Sequence, residues 1–124
     1  MAETGDRIQI ELPIEKEFAR LLRLMVSGVA SRMNFDLDAV DDLRIAIEEA
    51  YLMAMRYKVA DPLKVSFTTQ PDRLQIDFKG MSLSSAEEEN QKEDFGSFIL
   101  GAVVDEMEVS QENKEFNLSL TKYS

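Results

Sequence analysis

The chemistry open to this chain is limited by the residue types that it lacks. The sequence contains no cysteine and no histidine, which excludes disulfides, thiolate nucleophiles, imidazole metal sites and histidine-based triads. Any catalysis must therefore use carboxylates, lysine, tyrosine or a bound cofactor. The most informative segment is Asp41–Tyr57, DDLRIAIEEAYLMAMRY, which places the carboxylate of Glu49 one helical turn before the thioether of Met53.

Two amphipathic helices are predicted in the first half of the chain, and the second of them carries this segment. Apolar residues recur at helical spacing through Glu15–Met33 and again from Val40 onward, which predicts helices that each bury one face. Asp36 or Asp38 can cap the start of the second helix. Ala60-Asp61-Pro62 ends it.

Strands are predicted where apolar and polar residues alternate, on both sides of these helices. Phe95–Val103 returns to helical spacing and predicts a shorter third helix, and the polar stretch Ser82–Asp94 before it predicts a loop or lid. The predicted strands are Ile8–Leu12, a hairpin of Leu63–Phe67 and Leu74–Phe78, and the final pair Met107–Ser110 and Phe116–Tyr123.

The order of these elements indicates an α+β fold of two layers. Strand, helix, helix, two strands, helix and two strands are most simply arranged as helices on one face of a mixed, mostly antiparallel sheet. No repeat or linker divides the chain, so we expect a single domain over residues 1–124.

The composition argues against several classes of partner. The net charge of −10 would repel nucleic acid and anionic membrane surfaces, and it favours a protein partner with a basic patch. The longest apolar run, Phe98–Val104, is far shorter than the roughly 20 residues of a membrane span. The opening residues MAETGDR lack the apolar region of a signal peptide. We therefore expect a cytoplasmic protein.

Four segments, in chain order, resemble parts of one known family: Arg23–Met33 (RLMVSGVASRM), Asp41–Ala50 (DDLRIAIEEA), Val103–Val109 (VVDEMEV) and Leu120–Ser124 (LTKYS). They resemble, respectively, the first helix, the second helix, the exit from the third helix and the final strand of the RsbW-type anti-sigma factor serine kinases. That group belongs to the GHKL (HATPase-like) family with the Bergerat fold. The resemblance implies a Bergerat-type sandwich.

The first ATP motif of the family is altered in this chain. The motif is Glu-Ala-x-x-Asn-Ala, in which the glutamate acts as a base and the asparagine holds magnesium. Glu49 and Ala50 match the motif, whereas Met53 stands at the asparagine position. Magnesium requires oxygen ligands in octahedral geometry, which a soft thioether cannot supply. The resemblance therefore implies that Glu49 is a vestigial base and that the chain holds no metal.

The other two ATP motifs are also degenerate. Gly80-Met81-Ser82 stands at the family's Asp-x-Gly, so Gly80 replaces the carboxylate that accepts a hydrogen bond from adenine. Loss of a hydrogen bond to a charged group costs roughly 1.5–3 kcal/mol, which corresponds to about ten- to a hundredfold weaker ATP binding. At the Gly-x-Gly motif only Gly96 matches, and Asp94 places negative charge where the phosphates would lie.

Arg20 is the candidate contact residue for a protein partner. In the resembled family an arginine in this context of the first helix contacts the sigma factor and its antagonist protein. A solvent-facing arginine with no partner is an equally good interpretation of the sequence.

Three functions follow as hypotheses. The first is an anti-sigma-factor-like regulator that binds a sigma factor or an anti-sigma antagonist, with ATP binding and kinase activity lost and no cofactor required. It could also pair as a homodimer, or as a heterodimer with an active paralogue. The second is an active ATP- and magnesium-dependent serine kinase that phosphorylates an anti-sigma antagonist. The third is a sensor whose remodelled pocket near Met53 and Met81 binds an apolar small molecule.

Overall fold

The computed structural model describes residues 5–56, 62–82, 95–112 and 115–124. The predicted order of helices and strands is confirmed within these ranges. The elements are β1 (Arg7–Leu12), α1 (Phe18–Ala30), α2 (Leu37–Arg56), β2 (Leu63–Gln70), β3 (Arg73–Ser82), α3 (Phe95–Val103), β4 (Glu106–Glu112) and β5 (Glu115–Tyr123). Almost all of the predicted lid, together with Asp94, lies outside the described residues.

The described strands form one five-stranded sheet in the order β1-β2-β3-β5-β4. Each pair of neighbouring strands in that order runs antiparallel, in agreement with the mostly antiparallel sheet that the sequence predicts. β5 therefore lies inside the sheet, between β3 and β4, although it follows both in the chain. β1 and β4 are the edge strands.

The helices cover one face of the sheet. Alternate residues of β2 and β3, including Val65, Phe67, Ile76 and Phe78, are fully buried, because their side chains point to the same face and meet the apolar stripes of α1 and α2. The opposite face carries the intervening polar positions and is called the open face below. The predicted two-layer α+β architecture with helices on one face is thus confirmed.

The first helix is shorter than the sequence predicts, because tighter turns replace α-helical hydrogen bonds at both ends. Before α1, the Phe18 amide donates to the Glu15 carbonyl at 3.0 Å. After it, the Met33 amide donates to the Ala30 carbonyl at 3.0 Å. These bonds join residues three apart, as in a 3₁₀ turn, and the apolar spacing continues through them.

The second helix begins at a side-chain cap. The Asp36 carboxylate accepts a hydrogen bond from the Ala39 amide at 2.8 Å, and the Asp36 carbonyl accepts the first helical bond from Val40 at 3.1 Å. Of the two predicted caps, Asp36 is therefore the one used, because it satisfies an amide that the helix start leaves without an intrahelical partner. Among the described residues, no helix is long and apolar enough to cross a membrane.

Candidate functional site

Glu49 and Met53 lie on α2 as the sequence predicts, but in different environments. The Glu49 side chain is half-buried and has no hydrogen bond or ion pair with the residues that the structure describes. Met53 is only 4% exposed and belongs to the main hydrophobic core. The preceding carboxylate, Glu48, pairs instead with Arg23 of α1 and ties the two helices together. Position 53, which the sequence resemblance matches to the asparagine of the family's first ATP motif, is thus occupied by a core side chain.

Gly80 occupies a β-bulge near the end of β3, within its pairing with β5. The register shifts between Phe78 and Met81, and Gly80 adopts a φ of 84°, a left-handed conformation that glycine reaches without a steric penalty. Its amide donates to the side-chain oxygen of Asn117 on β5 at 3.0 Å. The bulge places two residues of β3 opposite one residue of β5, which interrupts the backbone hydrogen bonds of the ladder. The side-chain oxygen of Asn117 therefore serves as the acceptor for the Gly80 amide.

The remaining motif positions lie at the ends of two elements. Ser82 is the last residue of β3, and Gly96 is the second residue of α3. α3 packs against α2, the helix that carries Glu49 and Met53. Phe78, two residues before Gly80, shares the hydrophobic core with Met53. The strand that carries Gly80 is thus anchored in the same core as Met53.

The residues around Met53 do not fit a magnesium ion held from this position. The Met53 side chain is enclosed by apolar core residues, and its thioether is a soft ligand that magnesium does not select. Within the described parts of the chain, no group of three or more carboxylate side chains is arranged to hold a metal. An octahedral oxygen shell would need ligands that this region of α2 does not present.

Arg20 lies on the outward surface of α1. Its side chain is exposed and has no ion pair with any described residue. Leu24 follows it by one helical turn and is 66% exposed, and neighbouring Leu21 is 39% exposed. Residues four apart on a helix share a face, so α1 presents a cation beside exposed apolar side chains. Such a mixture is typical of protein-binding surfaces.

Two side chains that the sequence analysis did not single out hold this framework together. Tyr51 of α2 is fully buried, and its hydroxyl accepts a hydrogen bond from the Glu15 amide at 2.9 Å. Lys122 of β5 bonds to Asp42 and to Val103. Both contacts join residues far apart in the chain, and neither follows from local periodicity.

A cavity of about 410 Å³ lies between β1 and the end of α1. Ile8, Val29 and Met33 line it together with the charged residues Asp6 and Arg32. None of the sequence-predicted site residues lines this cavity.

Comparison with known proteins identifies relatives that share most of the sequence. The serine-protein kinase RsbW of Bacillus velezensis is 30% identical over 143 residues, covering 99% of this chain and 89% of the relative. The RsbW of Bacillus pumilus is 34% identical over 113 residues, covering 86% of this chain and 69% of the relative. The RsbW of Bacillus subtilis is 27% identical over 143 residues. No family model matches the chain.

A solved structure shows the same fold. The crystal structure of the RsbU and RsbW domains of Rv1364c from Mycobacterium tuberculosis superposes with a TM-score of 0.72 at 16% sequence identity. The match covers 94% of this chain and 32% of that chain, so the chain spans about a third of the length of the solved protein.

Proposed function

This chain belongs to the family of RsbW serine-protein kinases, and we propose that it acts within that family by binding a protein partner rather than by transferring phosphate. The observation that carries the proposal is the burial of Met53, which is 4% exposed within the hydrophobic core. The family's magnesium ligand would have to come from this position. A core thioether there leaves the triphosphate without its usual counter-ion.

The bulge at Gly80 supports the same proposal. The family's adenine-binding carboxylate would stand here, where this chain has a glycine in a left-handed conformation. The backbone amide is already bonded to Asn117, and glycine has no side chain that could accept the adenine amino group. ATP would therefore lose a base contact as well as its metal.

The partner surface proposed is the outward face of α1 around Arg20. Arg20 is exposed and without an ion pair among the described residues, and exposed Leu24 lies beside it. A partner with an acidic residue next to an apolar one fits this surface, because arginine beside buried apolar area is a common source of binding energy. We propose a sigma factor or an anti-sigma antagonist as this partner. We also propose that the chain can pair with a second copy of itself or with an active paralogue.

Kinase activity remains a second candidate because of Glu49. Its carboxylate is half-buried and without a bonding partner among the described residues, as a base awaiting a substrate hydroxyl would be. It would have to act without a metal ligand at Met53. The sensor hypothesis is less well supported, since Met53 is packed into the core and the side chain of Met81 lies outside the described structure.

Calorimetric titration with ATP and magnesium tests the proposed loss of nucleotide binding. We expect no binding in the micromolar range, and the RsbW of Bacillus pumilus is the matched control under the same conditions. Micromolar affinity would contradict the proposal. If the chain transfers phosphate to an antagonist, and Glu49→Ala abolishes that transfer, the chain is a kinase instead.

Affinity purification from the native cell tests the proposed partner surface. We expect a sigma factor or antagonist to be recovered with the unmodified chain and lost with Arg20→Glu. Arg7→Glu is the matched control, because it makes the same charge change on exposed β1 at the open face. Equal loss in both variants, or retention in Arg20→Glu, would argue against the α1 surface.

A further inference from the structure

Two lysines stand side by side on the open face of the sheet. Lys64 of β2 and Lys79 of β3 are register partners, so their Cβ atoms are about 4.5–5.5 Å apart. Both side chains are exposed, and neither has an ion pair with the residues that the structure describes. Like charges placed directly opposite each other destabilise a sheet. No ion pair within the described residues offsets the repulsion between these two lysines.

The charges at the other end of the same face are balanced locally. Arg73 bonds to Asp72 at 3.0 Å and its guanidinium lies 4.9 Å from the centre of the Tyr123 ring. The Tyr123 hydroxyl in turn bonds to Glu106. Lys64 and Lys79 lack such local partners among the described residues, in a chain whose net charge is −10.

A cavity of about 280 Å³ lies beside the lysine pair, and Gln9 and Ser66 also line it. Ser66 is a polar residue only 3% exposed. Its hydroxyl accepts a hydrogen bond from the Gln9 amide group at 3.5 Å, at the outer limit for such a bond. The hydroxyl proton has no acceptor among the described residues. The Ser66 hydroxyl proton is therefore available to an acceptor oxygen from outside the chain.

We propose that these four residues form a phosphate-binding site, called the lysine site. Two ammonium groups and two neutral donors match the three or four oxygens of a phosphate better than the two oxygens of a carboxylate. Lysine binds phosphate well as a point charge, and phosphate would offset the repulsion between Lys64 and Lys79. The site lies on the face opposite the helices, so it is independent of the function proposed above for α1.

A substitution at Glu11 should change phosphate affinity in the direction opposite to the lysine substitutions. Glu11 is the register partner of Lys64 on β1, and it lines the same cavity. It forms no ion pair with either lysine. Its carboxylate would repel a bound phosphate, so Glu11→Gln strengthens binding whereas the lysine substitutions weaken it.

The experiment is an amide NMR titration of the full chain with inorganic phosphate, at neutral pH and at an ionic strength held constant with sodium chloride. We expect saturable shifts at the amides of Gln9, Ser66 and Lys79. Lys64→Gln and Lys79→Gln are each expected to weaken binding by about tenfold or more, and Glu11→Gln is expected to strengthen it. Arg7→Gln is the matched control on the same face and leaves the affinity unchanged.

A second titration distinguishes the source of the phosphate. The titration is repeated with a phosphoserine peptide and with its unphosphorylated form. Tighter binding of the phosphopeptide than of inorganic phosphate, with no binding of the unphosphorylated form, indicates that the natural ligand is a phosphate carried by a polypeptide. Equal affinities indicate free phosphate, and both results support the lysine site. The proposal is overturned if no saturable shifts occur, if acetate binds as tightly as phosphate, or if Arg7→Gln weakens binding as much as the lysine substitutions do. Circular dichroism confirms that each variant remains folded.

Discussion

Lys122 and Asp42 form an ion pair of 3.1 Å that joins β5 to α2. The same ammonium group donates to the carbonyl of Val103, the last residue of α3, at 3.0 Å. The Lys122 side chain is 14% exposed and its Asp42 partner is 38% exposed, so the ammonium group is largely buried while the carboxylate still reaches solvent. A cation at the C-terminal end of a helix also interacts favourably with the helix dipole. One side chain thus connects the sheet with two helices.

Lys122→Met is expected to lower the free energy of unfolding by roughly 1–3 kcal/mol, the range for hydrogen bonds that involve a charged group. The substitution keeps an apolar stem but leaves the Asp42 carboxylate and the Val103 carbonyl without their donor. Urea unfolding measures the change. Lys16→Met, at an exposed lysine before α1, is the control and should change stability by about 0.5 kcal/mol or less. Equal effects of the two substitutions would refute the role given to Lys122.

Tyr51→Phe is expected to lower the free energy of unfolding by about 0.5–1.5 kcal/mol, because it removes the hydrogen bonds of a fully buried hydroxyl. The Tyr51 hydroxyl accepts from the Glu15 amide at 2.9 Å and lies 2.6 Å from the Glu15 carbonyl and 2.9 Å from that of Pro13. Thermal unfolding measures the loss. Tyr123→Phe removes an exposed hydroxyl and should have a clearly smaller effect; a similar effect would mean that the Tyr51 contact contributes little.

Met53→Asn restores the residue type of the family's metal ligand, yet we expect it to destabilise the fold without restoring binding of ATP and magnesium. The loss should be roughly 2–4 kcal/mol, from lost apolar burial together with an amide that lacks partners in the core. Met53→Leu is the control of similar volume and should cost less than about 1.5 kcal/mol. Chemical unfolding and calorimetric titration with ATP and magnesium check both parts. A stable Met53→Asn variant that binds the nucleotide would show that this position still opens onto a working site.

The phenol of Tyr123 should titrate at higher pH than a free tyrosine. Its hydrogen bond to Glu106 is the main cause that raises the Tyr123 pKa above the ordinary value of 10.0, because the neutral phenol is the donor. The contribution of this contact to stability is therefore present below the pKa of the unfolded state and is lost as pH rises through the folded pKa.

NMR titration of the tyrosine ring carbons measures the Tyr123 pKa directly. Glu106→Gln should lower it, since the carboxylate acceptor and its charge are both removed. Glu108→Gln, two residues along the same strand, is the control and should leave the Tyr123 pKa unchanged. A Tyr123 pKa that does not respond to Glu106→Gln would contradict the assigned cause.

Local patterns in the sequence predict the elements of this fold but not how they are joined. Helical spacing predicted α2, with Asp36 or Asp38 as its cap, and alternation predicted the buried face of β2; the structure shows that Asp36 is the cap. The strand order could not be predicted, because alternation identifies a face and not a neighbour. The Tyr51 and Lys122 contacts join residues 36 and 80 positions apart, so no local pattern contains them.

The candidate site was predictable to a similar extent. The helical spacing of Glu49 and Met53 and the glycine at position 80 were visible in the sequence. The bulge that uses Gly80 depends on its pairing with Asn117. The lysine pair depends on the register of β2 and β3, and each lysine considered alone is an ordinary exposed residue. Both features therefore depend on which strands pair and in which register, and residue types alone do not determine that pairing.

The placement of β5 inside the sheet determines when the sheet can be completed during synthesis. β4 pairs with the other described strands only through β5, so a nascent chain that has emerged as far as β4 has no docked position for that strand. β3 likewise exposes an unpaired edge until β5 arrives. Unpaired edges invite association with other chains, so between the emergence of β3 and that of β5 the nascent protein carries an edge that the finished sheet covers.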